Sequence, residues 1–145
     1  MSGDIFCKRA VLRGNLSEKG DGMFINVSEK NGSCYLEFAY CRTSRPAPGG
    51  KIDLDVSTHW NEDSLLIHDD DFGDFYAHYG DIFSCALLPN GETGFDCYCP
   101  NYYDREKTSH ILGELRGRIS EKYSRLIPWL ERAEWEFNGF YILGV

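Results

Sequence analysis

Between residues 52 and 104 the chain has no lysine and no arginine. The same stretch holds twelve carboxylates and stands at −12, while residues 1–51 stand at +3 and residues 105–145 at +1. The net charge of −8 therefore belongs to the middle of the chain. Binding to a phosphate backbone needs a basic surface, so direct nucleic-acid binding is excluded as an expectation. Long apolar runs are missing too. Nothing approaches the ~20 residues of a membrane-spanning helix, so no membrane partner is expected. The N-terminal Met1-Ser-Gly-Asp-Ile-Phe-Cys-Lys-Arg9 lacks the apolar core of about 7–15 residues that a secretory signal needs. A cytoplasmic protein with reduced thiols at Cys7, Cys34, Cys41, Cys85, Cys97 and Cys99 is the expectation.

Catalytic and cofactor motifs are absent as well. There is no G-x-G-x-x-G, P-loop or G-x-S-x-G. His59, His68, His78 and His110 lie at no metal-ligand spacing. Cys97-Tyr98-Cys99 is a C-x-C pair without a second pair at zinc spacing; on a strand both sulfurs would face one side and pack as buried thiols. Asp69-Asp-Asp-Phe-Gly-Asp74 fails the EF-hand pattern, because positions six and twelve are Asp74 and Gly80 rather than Gly and Glu. No metal, no cofactor and no enzymatic activity are expected. An acid–base pair made of His68 with Asp70 or Asp81 is the enzymatic alternative.

What is present is a foldable chain. At 145 residues, 42% of them hydrophobic, with 9 Tyr, 9 Phe and 3 Trp, it fits one domain spanning 1–145 with a sizeable core and is too aromatic for a disordered acidic tail. Residues 4–13 read as a first strand, followed by a polar loop at 14–22. Met23–Ser28 and Ser33–Cys41 are strand-like, and Asn31-Gly32 between them predicts a hairpin. Residues 43–50 are rich in Pro and Gly and form a loop. Residues 51–57 alternate, with Ile52, Leu54 and Val56 on one face and Asp53 and Asp55 on the other. Ser64–His68 reads as a short strand and Asp71–Tyr79 as a short helix capped by Asp71. Ile82–Leu88 and Thr93–Cys99 read as a second hairpin about Pro89-Asn90-Gly91. After Pro100 the apolar period becomes helical at Ile111, Leu112, Leu115, Ile119 and Tyr123, with Thr108 or Ser109 as cap. Pro128 kinks this helix or opens a second one, Asn138-Gly139 stops it, and Phe140–Leu143 is a final buried strand. The expected class is α+β: a mostly antiparallel sheet with two C-terminal helices, or one kinked helix, on one face.

The acidic stretch is the chemical signal. Its candidate binding residues are Asp53, Asp55, Glu62, Asp63, Asp69, Asp70, Asp71, Asp74 and Asp81, with Tyr76 and Tyr79 as aromatic anchors. Ordinary solubility explains carboxylates. It does not explain the exclusion of every cation, which costs self-repulsion and serves to steer a partner of opposite sign. A basic protein is the expected partner, with aromatics among the carboxylates supplying interface anchors.

The last twenty residues, Leu126-Ile-Pro-Trp-Leu-Glu-Arg-Ala-Glu-Trp-Glu-Phe-Asn-Gly-Phe-Tyr-Ile-Leu-Gly-Val145, carry a Trp-Leu-x-x-Ala helix, an Asn-Gly stop and Phe-Tyr-Ile-Leu-Gly-Val. This ending resembles that of small bacterial immunity proteins from contact-dependent growth inhibition and related polymorphic toxin systems. The resemblance implies a cytoplasmic, non-enzymatic protein that binds the C-terminal domain of one cognate toxin and blocks it. Such toxins are frequently basic RNases or DNases. It transfers no binding residues, since the toxin-facing surface varies most. A small acidic chaperone for a secreted effector is the alternative from another class. It would bind through apolar grooves, so its binding would persist at high salt.

Overall fold

A computed structural model describes residues 23–42 and 60–144. Among these residues seven strands form one antiparallel sheet in the order β1-β3-β2-β7-β6-β4-β5. They are β1 (Phe24–Asn26), β2 (Tyr35–Tyr40), β3 (Leu65–His68), β4 (Ala86–Leu87), β5 (Thr93–Gly94), β6 (Asn101–Tyr103) and β7 (Phe140–Leu143). Three helices accompany them among the described residues: α1 (Asp69–Phe83), α2 (Arg105–Leu115) and α3 (Leu126–Trp135). The fold is α+β. The first strand and the alternating segment 51–57 expected from the sequence lie outside the described residues.

The inward faces of β1, β2, β3, β6 and β7 pack with all three helices into one core. Phe38 sits at its centre, edge-on to Phe24 (5.2 Å between ring centroids), Phe83 (6.2 Å) and Trp129 (6.1 Å), and stacked on Phe140 (6.1 Å). The opposite sheet face carries a smaller buried cluster of Ala39, Cys41, Tyr102, Tyr141 and Leu143.

Several local expectations are corrected. The segments flanking Asn31-Gly32 do not pair; β3 lies between β1 and β2 and pairs with both. The cause is local. The chain leaves β1 in a 3-10 turn at Val27–Glu29, where the Asn26 N–H donates to Glu29 Oε1 (2.7 Å). Wholly apolar Leu65-Leu66-Ile67 is then best buried with a strand on each side. The acidic helix is longer than Asp71–Tyr79, and its cap is His68, whose Nδ1 accepts from the Asp70 N–H (3.1 Å). Phe72, Phe75, Tyr79, Ile82 and Phe83 form its buried stripe, so Ile82 and Phe83 belong to a helix face rather than to a strand. The second hairpin shrinks to Ala86–Leu87 against Thr93–Gly94, and Cys97–Cys99 lie in a turn. Helix α2 is capped not by Thr108 or Ser109 but by Asp104, which accepts from the Lys107 N–H (2.8 Å); Thr108 is buried and bonds the Asp104 carbonyl (2.7 Å). Ile119 and Tyr123 lie beyond the end of α2, and Pro128 sits in the first turn of a separate α3.

Tyrosine hydroxyls bind the layers together. Tyr40 donates to the Trp129 carbonyl (3.0 Å), Tyr102 to Asn138 (2.7 Å) and Tyr103 to Phe83 (2.5 Å). Burial, first among the causes, raises the pKa of Tyr40, Tyr102, Tyr103 and Tyr123 above the ordinary 10.0. The sign follows directly. Above pH 10 the unfolded chain loses phenolic protons that the folded chain keeps, so stability falls as pH rises from 10 towards the folded values. Each such phenol removes about 1.4 kcal/mol per pH unit in that window. Urea midpoints measured from pH 9 to 12, with tyrosinate absorbance followed in parallel, are expected to drop steeply above pH 10. A flat profile there would show that these phenols titrate as free tyrosine does.

Candidate partner-binding surface

Asp53 and Asp55 lie outside the described residues. Glu62 is exposed in the loop before β3, and Asp69 is exposed at the first position of α1. Asp70 turns inward, 8% exposed, with Oδ2 3.6 Å from His68 Nδ1. Asp71 is partly buried, and burial pushes its carboxyl above the ordinary 3.8. The three successive aspartates therefore occupy three environments in one helical turn, where all three favour the positive end of the helix dipole.

The remaining carboxylates meet cations. Asp63 pairs with Arg42, and its backbone carbonyl accepts from Trp129 Nε1 (2.7 Å). Asp74 accepts from the buried Tyr123 hydroxyl and lies 3.4 Å from Lys122. The Tyr123 hydrogen bond, followed by the Lys122 charge, lowers its pKa. Asp81 is bound by both terminal nitrogens of Arg118, at 3.2 and 3.3 Å, and this contact lowers its pKa. These exposed pairs add little stability, but they redistribute charge. Arg42 precedes the cation-free stretch, and Arg118 and Lys122 follow it. The segregation seen along the chain is partly undone in space.

The two proposed aromatic anchors also have work within the fold. Tyr79 is 4% exposed, and its hydroxyl accepts from the Ser120 N–H (2.9 Å) while donating to the Arg118 carbonyl (3.4 Å). Tyr76 is half-buried between Phe72 and Phe95, with ring centroids at 5.8 and 5.0 Å. Burial raises its phenol pKa. His68 and Asp70 do meet, but as a helix cap, and Asp81 is held by Arg118. Among the described residues no group of three or more His, Cys, Asp and Glu side chains is placed to hold a metal ion.

Among the described residues the exposed aromatics are Trp60, Tyr98 and Trp135. The sequence pattern does not separate Tyr98 from its buried neighbours, because Thr93–Cys99 suits a strand locally. Trp60 has a left-handed backbone, φ +53°, which is rare for a bulky residue. Its N–H donates to Glu37 Oε2 (2.6 Å), and the same oxygen accepts from Ser64 Oγ (2.6 Å). Glu37 is 1% exposed, so a buried carboxylate on β2 fixes the start of this loop.

Fold and surface together define an α+β protein with an acidic helix beside a short-stranded antiparallel sheet, its carboxylates partly neutralised from within. Comparison with family models, curated proteins and solved structures gives no match to this chain. No helix among the described residues is long and apolar enough to cross a membrane.

The geometry separates useful charge reversals from damaging ones. Glu62 and Asp69 are exposed and form no ion pair with a described residue. Reversing Asp70 would bury an ammonium, and reversing Asp81 would place two cations together at Arg118. The double variant Glu62→Lys/Asp69→Lys is therefore expected to fold, with a urea midpoint lowered only by the loss of the Asp69 helix-dipole interaction, about 0.3–1 kcal/mol. It should slow association with a basic partner by about three- to tenfold, checked by stopped-flow mixing against Glu106→Lys/Glu121→Lys, two exposed carboxylates outside the acidic stretch, of which Glu106 opens α2 as Asp69 opens α1.

Proposed function

We propose that this chain is a toxin-neutralising immunity protein of a contact-dependent growth inhibition or related polymorphic toxin system. It acts in the cytoplasm without enzymatic activity and binds the basic, nuclease-type C-terminal domain of its cognate toxin. The observation that carries this reading is the run of residues 52–104, with twelve carboxylates and no lysine or arginine. The resemblance of residues 126–145 to the ends of immunity proteins supports it independently. Glu62 and Asp69 are the carboxylates best placed to steer the partner, since Asp63, Asp74 and Asp81 already have cations of their own.

The test is co-expression with the C-terminal domain of an exported protein encoded beside this chain, scored by growth. Rescue is the expected result, and growth arrest despite co-expression would sink the reading. The association rate should fall by at least about tenfold as ionic strength rises from roughly 0.01 to 0.5 M, because screening shortens the reach of the acidic field. A salt-independent rate would instead favour the effector-chaperone alternative.

A further inference from the structure

The three aromatics exposed among the described residues are not equivalent. The Lys30 ammonium lies 4.6 Å over the Trp60 ring, so the chain itself fills that face. Trp135 ends α3, within the segment of net charge +1, and its carbonyl is bonded by Arg105 (3.1 Å). Tyr98 is 81% exposed and lies inside the cation-free stretch. No ring or cation among the described residues stacks on it.

The turn that carries Tyr98 is heavily held. Asp96 Oδ1 accepts from the Tyr98 N–H (2.9 Å), and Oδ2 accepts from Cys99 Sγ (3.3 Å). The Asp96 N–H donates to Asn101 Oδ1 (2.8 Å), and Asn101 Nδ2 donates to the carbonyls of Asp96 (2.9 Å) and Cys99 (2.8 Å). Asn101 is wholly buried in β6, and Nδ2 also reaches the Ile142 carbonyl in β7 (3.0 Å). On the other side Gly144 backs onto the turn so closely that a Cβ there would lie 1.6 Å from the Cys97 carbonyl oxygen. Backbone on both flanks of Tyr98 is thus tied to the sheet, while its ring meets no other ring or cation among the described residues. A loose loop would fold an aromatic ring back onto the protein. This one holds it in solvent, and its loop entropy is lost on folding rather than on binding.

We infer that Tyr98 is an anchoring residue for an arginine-bearing surface of a basic protein partner, an inference that rests on the function proposed above. A tyrosine face attracts a cation, and arginine suits it better than lysine because the planar guanidinium stacks while still donating hydrogen bonds. The Asp96 carboxylate, in the same turn, adds an anion close to where such a cation would dock. Rigidly held aromatics are also the residue type that dominates binding energy at interfaces.

The experiment titrates the full chain with labelled nona-arginine and nona-lysine peptides of equal charge. Wild type, Tyr98→Ala, Tyr98→Phe and Trp135→Ala are compared, with circular dichroism to confirm folding. Tyr98→Ala should weaken nona-arginine binding by about two- to fivefold, the worth of an exposed cation–π contact. Nona-lysine binding should change less, and Tyr98→Phe and Trp135→Ala should match wild type. Equal nona-arginine affinity in wild type and Tyr98→Ala, or an equal loss in Trp135→Ala, overturns the inference. A wild-type dimer that becomes monomeric in Tyr98→Ala also overturns it, making the ring a contact between copies. Loss of the peptide effect with growth rescue intact removes the anchor alone, whereas absence of rescue by wild type removes the toxin-neutralising reading beneath it.

Discussion

Replacing Phe38 by Ala is expected to lower the unfolding free energy by about 3–5 kcal/mol, the range for truncating a buried phenylalanine. Phe38 is 0% exposed and lies on β2, which pairs with β3 on one side and β7 on the other. Its ring meets rings from four other elements: Phe24 of β1, Phe75 and Phe83 of α1, Trp129 of α3 and Phe140 of β7. Those neighbours are held by ladders and helices and cannot collapse into the space, so a cavity term adds to the lost transfer energy. Edge-to-face aromatic contacts add about 0.5–1.5 kcal/mol per pair beyond area burial, which places this site at the upper end. Against a typical total of about 5–15 kcal/mol, the variant would be marginal. Urea unfolding followed by tryptophan fluorescence measures it, and a loss below about 1 kcal/mol would mean that the cluster is not close-packed.

The second large effect is expected for Gly139→Ala. Gly139 follows α3 with φ +84°, and its N–H donates to the Ala133 carbonyl (3.1 Å). A Cβ there would lie 1.9 Å from the Tyr103 carbonyl oxygen and 2.9 Å from Asp104 backbone carbon. These atoms cannot yield easily, because Tyr103 closes β6 against β7 and Asp104 caps α2. The left-handed conformation costs about 1–2 kcal/mol and overpacking about 1–3 kcal/mol more. Gly91→Ala is the control. Its φ is +89°, yet nothing lies within 4 Å of its Cβ position, so only the conformational part is expected. Equal urea midpoints for the two variants would show that the close approach of β7 to the start of α2 does not constrain the chain.

The largest pieces of the fold were legible because they repeat. The i, i+3, i+4 pattern at Ile111, Leu112 and Leu115 marks a helix that the structure contains, and so does Pro128 at the start of α3. Phe140–Leu143 was legible as a buried strand, and it lies mid-sheet between β2 and β6. Strand partners were not legible. Asn31-Gly32 is a real turn signal, yet the strand that lies beside β2 arrives from residues 65–68. The local pattern ends the acidic helix at Tyr79 because Ile82 and Phe83 suit a strand; they become helical only when their side chains complete a stripe over the sheet.

Along the sequence alone, the charge is separated into three blocks, and that separation follows from composition without any folding. Tertiary structure decided how much of it survives. Arg42, Lys122 and Arg118 reach Asp63, Asp74 and Asp81 only because β2, α1 and the segment after α2 converge on one core. Likewise, the sequence presents Tyr76, Tyr79 and Tyr98 as equal aromatics among carboxylates. Helical phase turns Tyr79 inward and leaves Tyr76 half-buried, while Asn101 and Gly144 tie the Tyr98 turn to the sheet with its ring in solvent. Residue type states what a side chain is able to bind. Its exposure depends on contacts tens of residues away, which no local pattern encodes.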